Sequence, residues 1–255
     1  MCPFIPGKTA PLPVNLVFYD VGKPEQASVM DIIGHRGAAA AAPENTLSAV
    51  RLGMECADYV EVDVRLSRDH VPVIMHDPTV DRTTNGSGRV GEFTAADLRL
   101  LDAGKGEHVP TLEEVCLLVG GKSGLCIEIK EPGSELEVCG VLDRVARGPL
   151  LVVSFHRAAL AMVHDVLPDV PLGLIHTQPV PPTPRKGEDP PFWAYLPRFD
   201  TLTRDAVAEV HARGMRVIPW TLDSIAEWER AREMGVDGFA TDDPCGAWSW
   251  RKTVE

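Results

Sequence analysis

The chain has 255 residues, 44% of them hydrophobic and 24% charged, with a formal net charge of −12. That apolar share supports a sizeable core and excludes disorder, and the length suits one α/β barrel as well as two small domains. An acidic surface repels nucleic acid and anionic membranes, so neither is an expected partner, and an anionic substrate would need a local cation to offset the field.

The N-terminal stretch "MCPFIPGKTAPLPVNLVFYD" is broken by prolines and makes a poor signal peptide, and no segment is long and apolar enough to span a bilayer. The six cysteines (Cys2, Cys56, Cys116, Cys126, Cys139, Cys245) show no CxxC pair. They read as buried free thiols suited to a reducing compartment, so a cytoplasmic location is expected. Residues 1–29 precede the first strand and form an extension without an assigned role, ahead of a catalytic domain over 30–255. Met30 is an alternative start.

Short β-branched runs then alternate with helical patterns. Strands are predicted at Asp31–Gly34, Tyr59–Leu66, Leu125–Lys130, Leu151–Phe155, Leu172–His176, Trp193–Leu196, Arg216–Trp220 and Gly238–Thr241. Helices are predicted at Thr46–Ala57, Leu112–Val119, Glu135–Ala146, Arg157–Leu167, Thr203–Arg213 and Ile225–Met234. Near-continuous apolar strands between amphipathic helices indicate a parallel sheet, and eight of them in this length suggest a closed (β/α)8 TIM barrel. "EVDVRLS-RDH-VPVIMHD" breaks the alternation: its two extended runs are separated by only Arg68–His70, too few residues for a parallel crossover. The second run is therefore an antiparallel hairpin arm after strand two, which puts Met75 opposite Asp63 and returns His76 to the barrel mouth. Residues 77–110 and the proline cluster of 177–191 read as irregular loops.

In such a barrel the C-terminal ends of the strands line the active site. Those ends supply His35 and Arg36, then Glu61 and Asp63, then Glu128 and Lys130, with His76 from the hairpin. Period-two alternation puts Glu61 and Asp63 on one face, and likewise Glu128 and Lys130. Three carboxylates in one pocket need protons or cations to offset them. One reading is a hard divalent ion, Mg2+ or Ca2+, on an all-oxygen set. The other is a buried salt-bridge network with Arg36 and Lys130. Two histidines beside the carboxylates fit a general base and a general acid, with the metal and Arg36 neutralising charge on a phosphoryl or carboxyl group.

Trp220, ending strand seven, is either core or a pocket wall. "PENT" opens the first helix with Asn45 or Thr46 as its cap, which places Glu44 in the first loop near Arg36. The alanines of "GHRGAAAAAPENT" bridge the two polar groups and leave room for a ligand. His70, His108, His164 and His211 read as surface or satisfied residues, and His156 and His176 approach the mouth without a partner.

"GHRG", five residues, then "PENT"; "VEVDVRLSRDHVPVIMHDPTVDRTTNGSGRV"; "TLEEV"; "IEIK"; "VSF"; "PWTLD"; and "GVDGFATDDP" follow one another in order. In these motifs the chain resembles the glycerophosphodiester phosphodiesterase family from Ile32 to Pro244. The resemblance implies a TIM barrel with one divalent ion on Glu61, Asp63 and Glu128, and His35 and His76 as the acid/base pair. It also implies Arg36 on a phosphate oxygen, with Lys130 adding charge there. The implied reaction is release of an alcohol from a phosphodiester, the glycerol 2-hydroxyl attacking phosphorus to give a cyclic phosphate that water opens. His76 is then the acid to the leaving alcohol and His35 the base.

One departure is Asp223 in "WTLDS", where relatives often have Asn, so an acid replaces a neutral donor near the substrate glycerol. The expected substrate is a small glycerophosphodiester, or a lysophospholipid if the mouth carries an apolar groove, and the oligomeric state is open. A Mg-dependent enolate-forming lyase or racemase barrel, and a catalytically silent binding barrel, are the readings from other classes.

Overall fold

The computed structural model describes residues 29–183 and 189–254. The extension read at 1–29 lies, except for its last residue, outside that range, as does part of the proline cluster. Nine strands are present among the described residues: β1 (Asp31–Gly34), β2 (Tyr59–Leu66), β3 (Pro72–Ile74), β4 (Gly124–Ile129), β5 (Leu150–Ser154), β6 (Leu172–His176), β7 (Ala194–Pro197), β8 (Arg216–Val217) and β9 (Gly238–Thr241). All but β3 lie parallel in the order β8-β7-β6-β5-β4-β2-β1-β9. The gap between the ends is bridged by backbone bonds from Asp237 N–H to the Val217 carbonyl and from Ala240 N–H to the Pro219 carbonyl, both 2.9 Å. The TIM-barrel expectation holds.

Helices α1 (Leu47–Cys56), α3 (Leu112–Val119), α4 (Glu135–Val145), α5 (Arg157–Val166), α6 (Arg204–Ala212), α7 (Ile225–Met234) and α8 (Pro244–Val254) cover the strands, with a short α2 (Ala95–Arg99) in the loop after β3. Among the described residues no helix joins β6 to β7, where the prolines lie. The strands alternate as predicted. Val60, Val62 and Val64 point outward into the layer beneath the helices, while Ile33, Cys126, Leu151, Val153, Ile175, Leu196 and Ile218 fill the barrel. Both faces of each strand are therefore buried, which explains their near-continuous apolar sequence.

β3 pairs antiparallel with β2 in the register Val64↔Ile74, and Met75 N–H reaches the Asp63 carbonyl at 2.9 Å, as the hairpin reading requires. β8 is shorter than predicted, since Pro219 has no N–H to continue the ladder. The loop over 77–110 is less irregular than expected. Thr94 and Asp97 cap α2 reciprocally, and Val73, Met75, Val80, Val90, Leu98, Ala103 and Val109 form a small core beneath it.

The cysteine reading needs correction. Cys56 at the end of α1 and Cys245 at the start of α8 form a disulfide with Cα atoms 4.9 Å apart. A pair 189 positions apart in sequence leaves no spacing signal. Cys116, Cys126 and Cys139 are buried free thiols as expected, and Cys2 lies outside the described residues. A disulfide is rare in a reducing compartment, so the thiol argument for the cytoplasm no longer holds. No helix among the described residues is long and apolar enough to cross a membrane.

Candidate active site

The two glycines of "GHRG" shape the first side of the site. A Cβ on Gly34 would fall 2.6 Å from the Gly37 carbonyl oxygen, and one on Gly37 would fall 2.4 Å from the Ala49 carbonyl carbon. Only glycines let the chain fold back on itself between β1 and α1. Within this turn Arg36 takes a left-handed backbone, φ +52°, and Asn45 another, φ +59°. Both strained positions are tied to the acidic cluster. Arg36 N–H donates to Glu61 Oε2 at 2.8 Å, and Asn45 Nδ2 donates to Asp63 Oδ2 at 2.7 Å while its Oδ1 accepts from Asp63 N–H at 3.2 Å. Thr46, not Asn45, caps α1. The alanines form turns rather than a helix, and Ala40 N–H bonds the Asp242 carbonyl at 2.9 Å.

Glu61 and Asp63 share the inward face of β2, and Glu128 is the β4 register partner of Asp63. All three side chains are buried, and one oxygen of each lies within 4.8 Å of the others. Lys130 Nζ stands 2.6 Å from Glu128 Oε1 and 3.3 Å from Asp63 Oδ1, and Arg36 Nε is 3.3 Å from Asp63 Oδ2. Glu61 Oε1 is buried without a hydrogen-bond partner, while Asp63 Oδ1 and Glu128 Oε1 share the single Lys130 ammonium.

Two cations beside three carboxylates leave one negative charge over, so the salt-bridge reading does not close the account. The all-oxygen donor set, with Glu61 Oε1 buried and unpartnered, fits a hard divalent cation. The same imbalance appears in the proton affinities. Burial, then Asp63, pushes Glu61 up to about 8 and raises Glu128 as well. For Asp63 burial acts upward too, but Lys130 and Arg36 outweigh it and hold this carboxyl below its usual range.

The two histidines flank the cluster, each with its own carboxylate. His35 Nδ1 lies 2.7 Å from Asp242 Oδ1, and His76 Nδ1 lies 2.6 Å from Asp77 Oδ1. Glu44 accepts from Arg36 Nη1 at 2.8 Å, as its place in the first loop implied. Trp220 is partly buried against the barrel core: its indole N–H donates to the Leu196 carbonyl at 2.8 Å, and its ring meets the 40% exposed Phe155 edge-on at 5.8 Å. His176 is not partnerless, since its Nδ1 accepts from Gln178 N–H at 3.0 Å.

Asp223 is exposed, and one of its two carboxylate oxygens is committed. Its Oδ1 accepts from Asp242 N–H at 2.8 Å and from Thr241 Oγ1 at 3.1 Å, steadying the residue that holds His35. Asp242, Asp77, Arg65 and Arg82 had no role in the sequence reading, and Asn45 had only that of a possible cap. Asp242 follows the end of β9, where the strand-end rule finds it. Arg65 continues the period-two series of Glu61 and Asp63, and its Nε donates to the His76 carbonyl at 3.0 Å. Arg82 left no comparable signal.

The sequence matches the glycerophosphoryl diester phosphodiesterase family over residues 35–245. It is 35% identical over 228 residues to a glycerophosphodiester phosphodiesterase of Caldanaerobacter subterraneus subsp. tengcongensis, covering 84% of this chain and 94% of that one. A Bacillus subtilis protein of the same name is 30% identical over 243 residues, with 83% of each chain covered. Among solved structures, an Oleispira antarctica phosphodiesterase in complex with the product sn-glycerol-3-phosphate superimposes with a TM-score of 0.82. It is 28% identical, with 88% of this chain and 97% of that one covered.

Proposed function

The chain belongs to the glycerophosphoryl diester phosphodiesterase family, and we propose that it hydrolyses small glycerophosphodiesters to glycerol 3-phosphate and an alcohol, with His35 and His76 moving the protons. The observation that carries this reading is the buried cluster of Glu61, Asp63 and Glu128, with Glu61 Oε1 left without a partner, between two carboxylate-oriented histidines. A divalent ion, Mg2+ or Ca2+, held by those three residues would neutralise charge on the phosphoryl oxygens.

Arg36, steadied by Glu44, grips a phosphate oxygen, and Lys130 adds positive charge beside it. Each histidine has Nδ1 committed to a carboxylate, which leaves Nε2 for the substrate. His35 takes the proton of the glycerol 2-hydroxyl as that oxygen bonds to phosphorus, and His76 gives a proton to the alcohol oxygen as its bond to phosphorus breaks. Water then opens the cyclic phosphate with the proton roles reversed. Family membership sets aside the lyase and silent-barrel readings. Lysophospholipids remain a second substrate class, favoured by the exposed Phe155 beside Trp220 at the barrel mouth.

The test is glycerol 3-phosphate release from glycerophosphocholine, with EDTA, then with Mg2+ or Ca2+ restored, beside a His35→Ala control. Metal-dependent release that the variant loses is expected. No release from any glycerophosphodiester or lysophospholipid, with either ion, would overturn the reading.

A further inference from the structure

Arg82 comes from the loop after β3, and its guanidinium makes four hydrogen bonds to two carboxylates. Nε and Nη2 donate to Asp77 at 2.6 and 3.2 Å, and Nη1 and Nη2 donate to Glu44 at 2.7 and 2.8 Å. Each acceptor also holds a residue of the site. Asp77 lies 2.6 Å from His76 Nδ1, and Glu44 accepts from Arg36 Nη1 at 2.8 Å. The result is one continuous chain, Arg36–Glu44–Arg82–Asp77–His76, arching from the loop after β1 to the loop after β3.

We propose that Arg82 is a positioning residue that aligns the phosphate grip of Arg36 and the proton transfer of His76 together, by bridging Glu44 and Asp77. The proposal rests on the phosphodiesterase reading, since it takes Arg36 and His76 to serve that reaction. Without the guanidinium, two carboxylates would face each other with no cation between them and would move apart. Asp77 would then leave the imidazole and Glu44 would leave Arg36. A lysine could not replace the bridge, because one ammonium cannot present two planar pairs of donors.

The Arg82 side chain is 47% exposed, so its pairs contribute little to stability, and the bridge acts on geometry. The His76 backbone is fixed separately by Arg65 on its carbonyl. Loss of Arg82 therefore frees the ring while its backbone stays in place.

The experiment compares kcat and KM for glycerophosphocholine, with the divalent ion present, in wild type, Arg82→Ala, Arg82→Lys, Asp77→Asn and Glu44→Gln, each beside a thermal melt. Asp77→Asn should lower kcat with KM little changed, and Glu44→Gln should mainly raise KM. Arg82→Ala should do both, losing on the order of 10- to 100-fold in kcat/KM. Arg82→Lys should resemble Arg82→Ala. Guanidinium chloride at millimolar concentration should restore part of the kcat of Arg82→Ala and none in Asp77→Asn. The double variant Arg82→Ala/Asp77→Asn should have the kcat of Asp77→Asn alone. Wild-type kcat and KM in Arg82→Ala would overturn the proposal, and so would a loss that follows the melted fraction and ignores guanidinium. An inactive wild type would instead overturn the phosphodiesterase reading and take this proposal with it.

Discussion

His35 and His76 stand on opposite flanks of the carboxylate cluster, each bonded through Nδ1 to an aspartate, at 2.7 and 2.6 Å. Their proton affinities nevertheless move in opposite directions. For His35 burial acts downward, but the Asp242 bond and the charges of Glu61 and Asp63 outweigh it and raise the pKa. For His76 burial also acts downward, and there the Asp77 bond does not recover the loss. The difference lies in what surrounds each pair. Arg36 repels both rings, but His35 gains from Glu61 and Asp63 together, whereas His76 gains from Asp63 and is also repelled by Lys130. A carboxylate partner orients an imidazole, but the wider charge distribution decides whether it keeps a proton.

Changing the leaving group breaks this comparison most sharply. With glycerophosphocholine, His35→Ala and His76→Ala should each lower kcat by roughly 10²- to 10⁴-fold. With a p-nitrophenyl glycerophosphodiester the departing phenolate needs no proton. His76→Ala should then recover most of its activity and His35→Ala should not. The opposite pattern would exchange the acid and base roles.

A thermal melt of the metal-free chain reads the same imbalance on a smaller scale. Glu61, raised to about 8 by burial and by Asp63, stabilises the fold while protonated. That contribution is full below its unfolded pKa of about 4.3 and is lost as pH rises through the folded value. Tm should fall more steeply with rising pH in wild type than in Glu61→Gln, and added Mg2+ or Ca2+ should remove the difference. Identical slopes in the two metal-free proteins would mean that Glu61 does not hold the proton.

Much of the barrel and its acidic cluster was legible in the sequence because each is a local pattern. β1 and β2 were read to the residue, as bounded apolar runs, and Glu61, Asp63 and Glu128 followed from period two. The hairpin register followed from a three-residue turn. What stayed hidden depends on contacts between distant segments or on unusual backbone. Asn45 looked like a cap, and only its φ of +59° turns the side chain onto Asp63. The Cys56–Cys245 bond joins the two ends of the barrel, and Arg82 acquires its partners only once its loop has folded. α8 lacks a clear apolar stripe in "PCGAWSWRKTV", although Pro244 at its first turn was a usable signal.

The smallest effect should come from Asp223, where the sequence suggested that an acid had replaced a neutral substrate contact. Its Oδ1 accepts from Asp242 N–H and Thr241 Oγ1, and an amide oxygen can accept both. Burial, with the Asp242 charge adding to it, raises the pKa of this carboxyl. The environment thus does not reward a negative charge at this position, and the bonds that steady Asp242 need only an oxygen. Asp223→Asn should leave kcat/KM for glycerophosphocholine within about twofold of wild type, the range of a substitution that keeps its contacts. Asp223→Ala removes the acceptor and should cost more, through kcat, because Asp242 then orients His35 less well. A large loss in Asp223→Asn, seen in KM, would mean instead that the carboxylate meets the substrate directly.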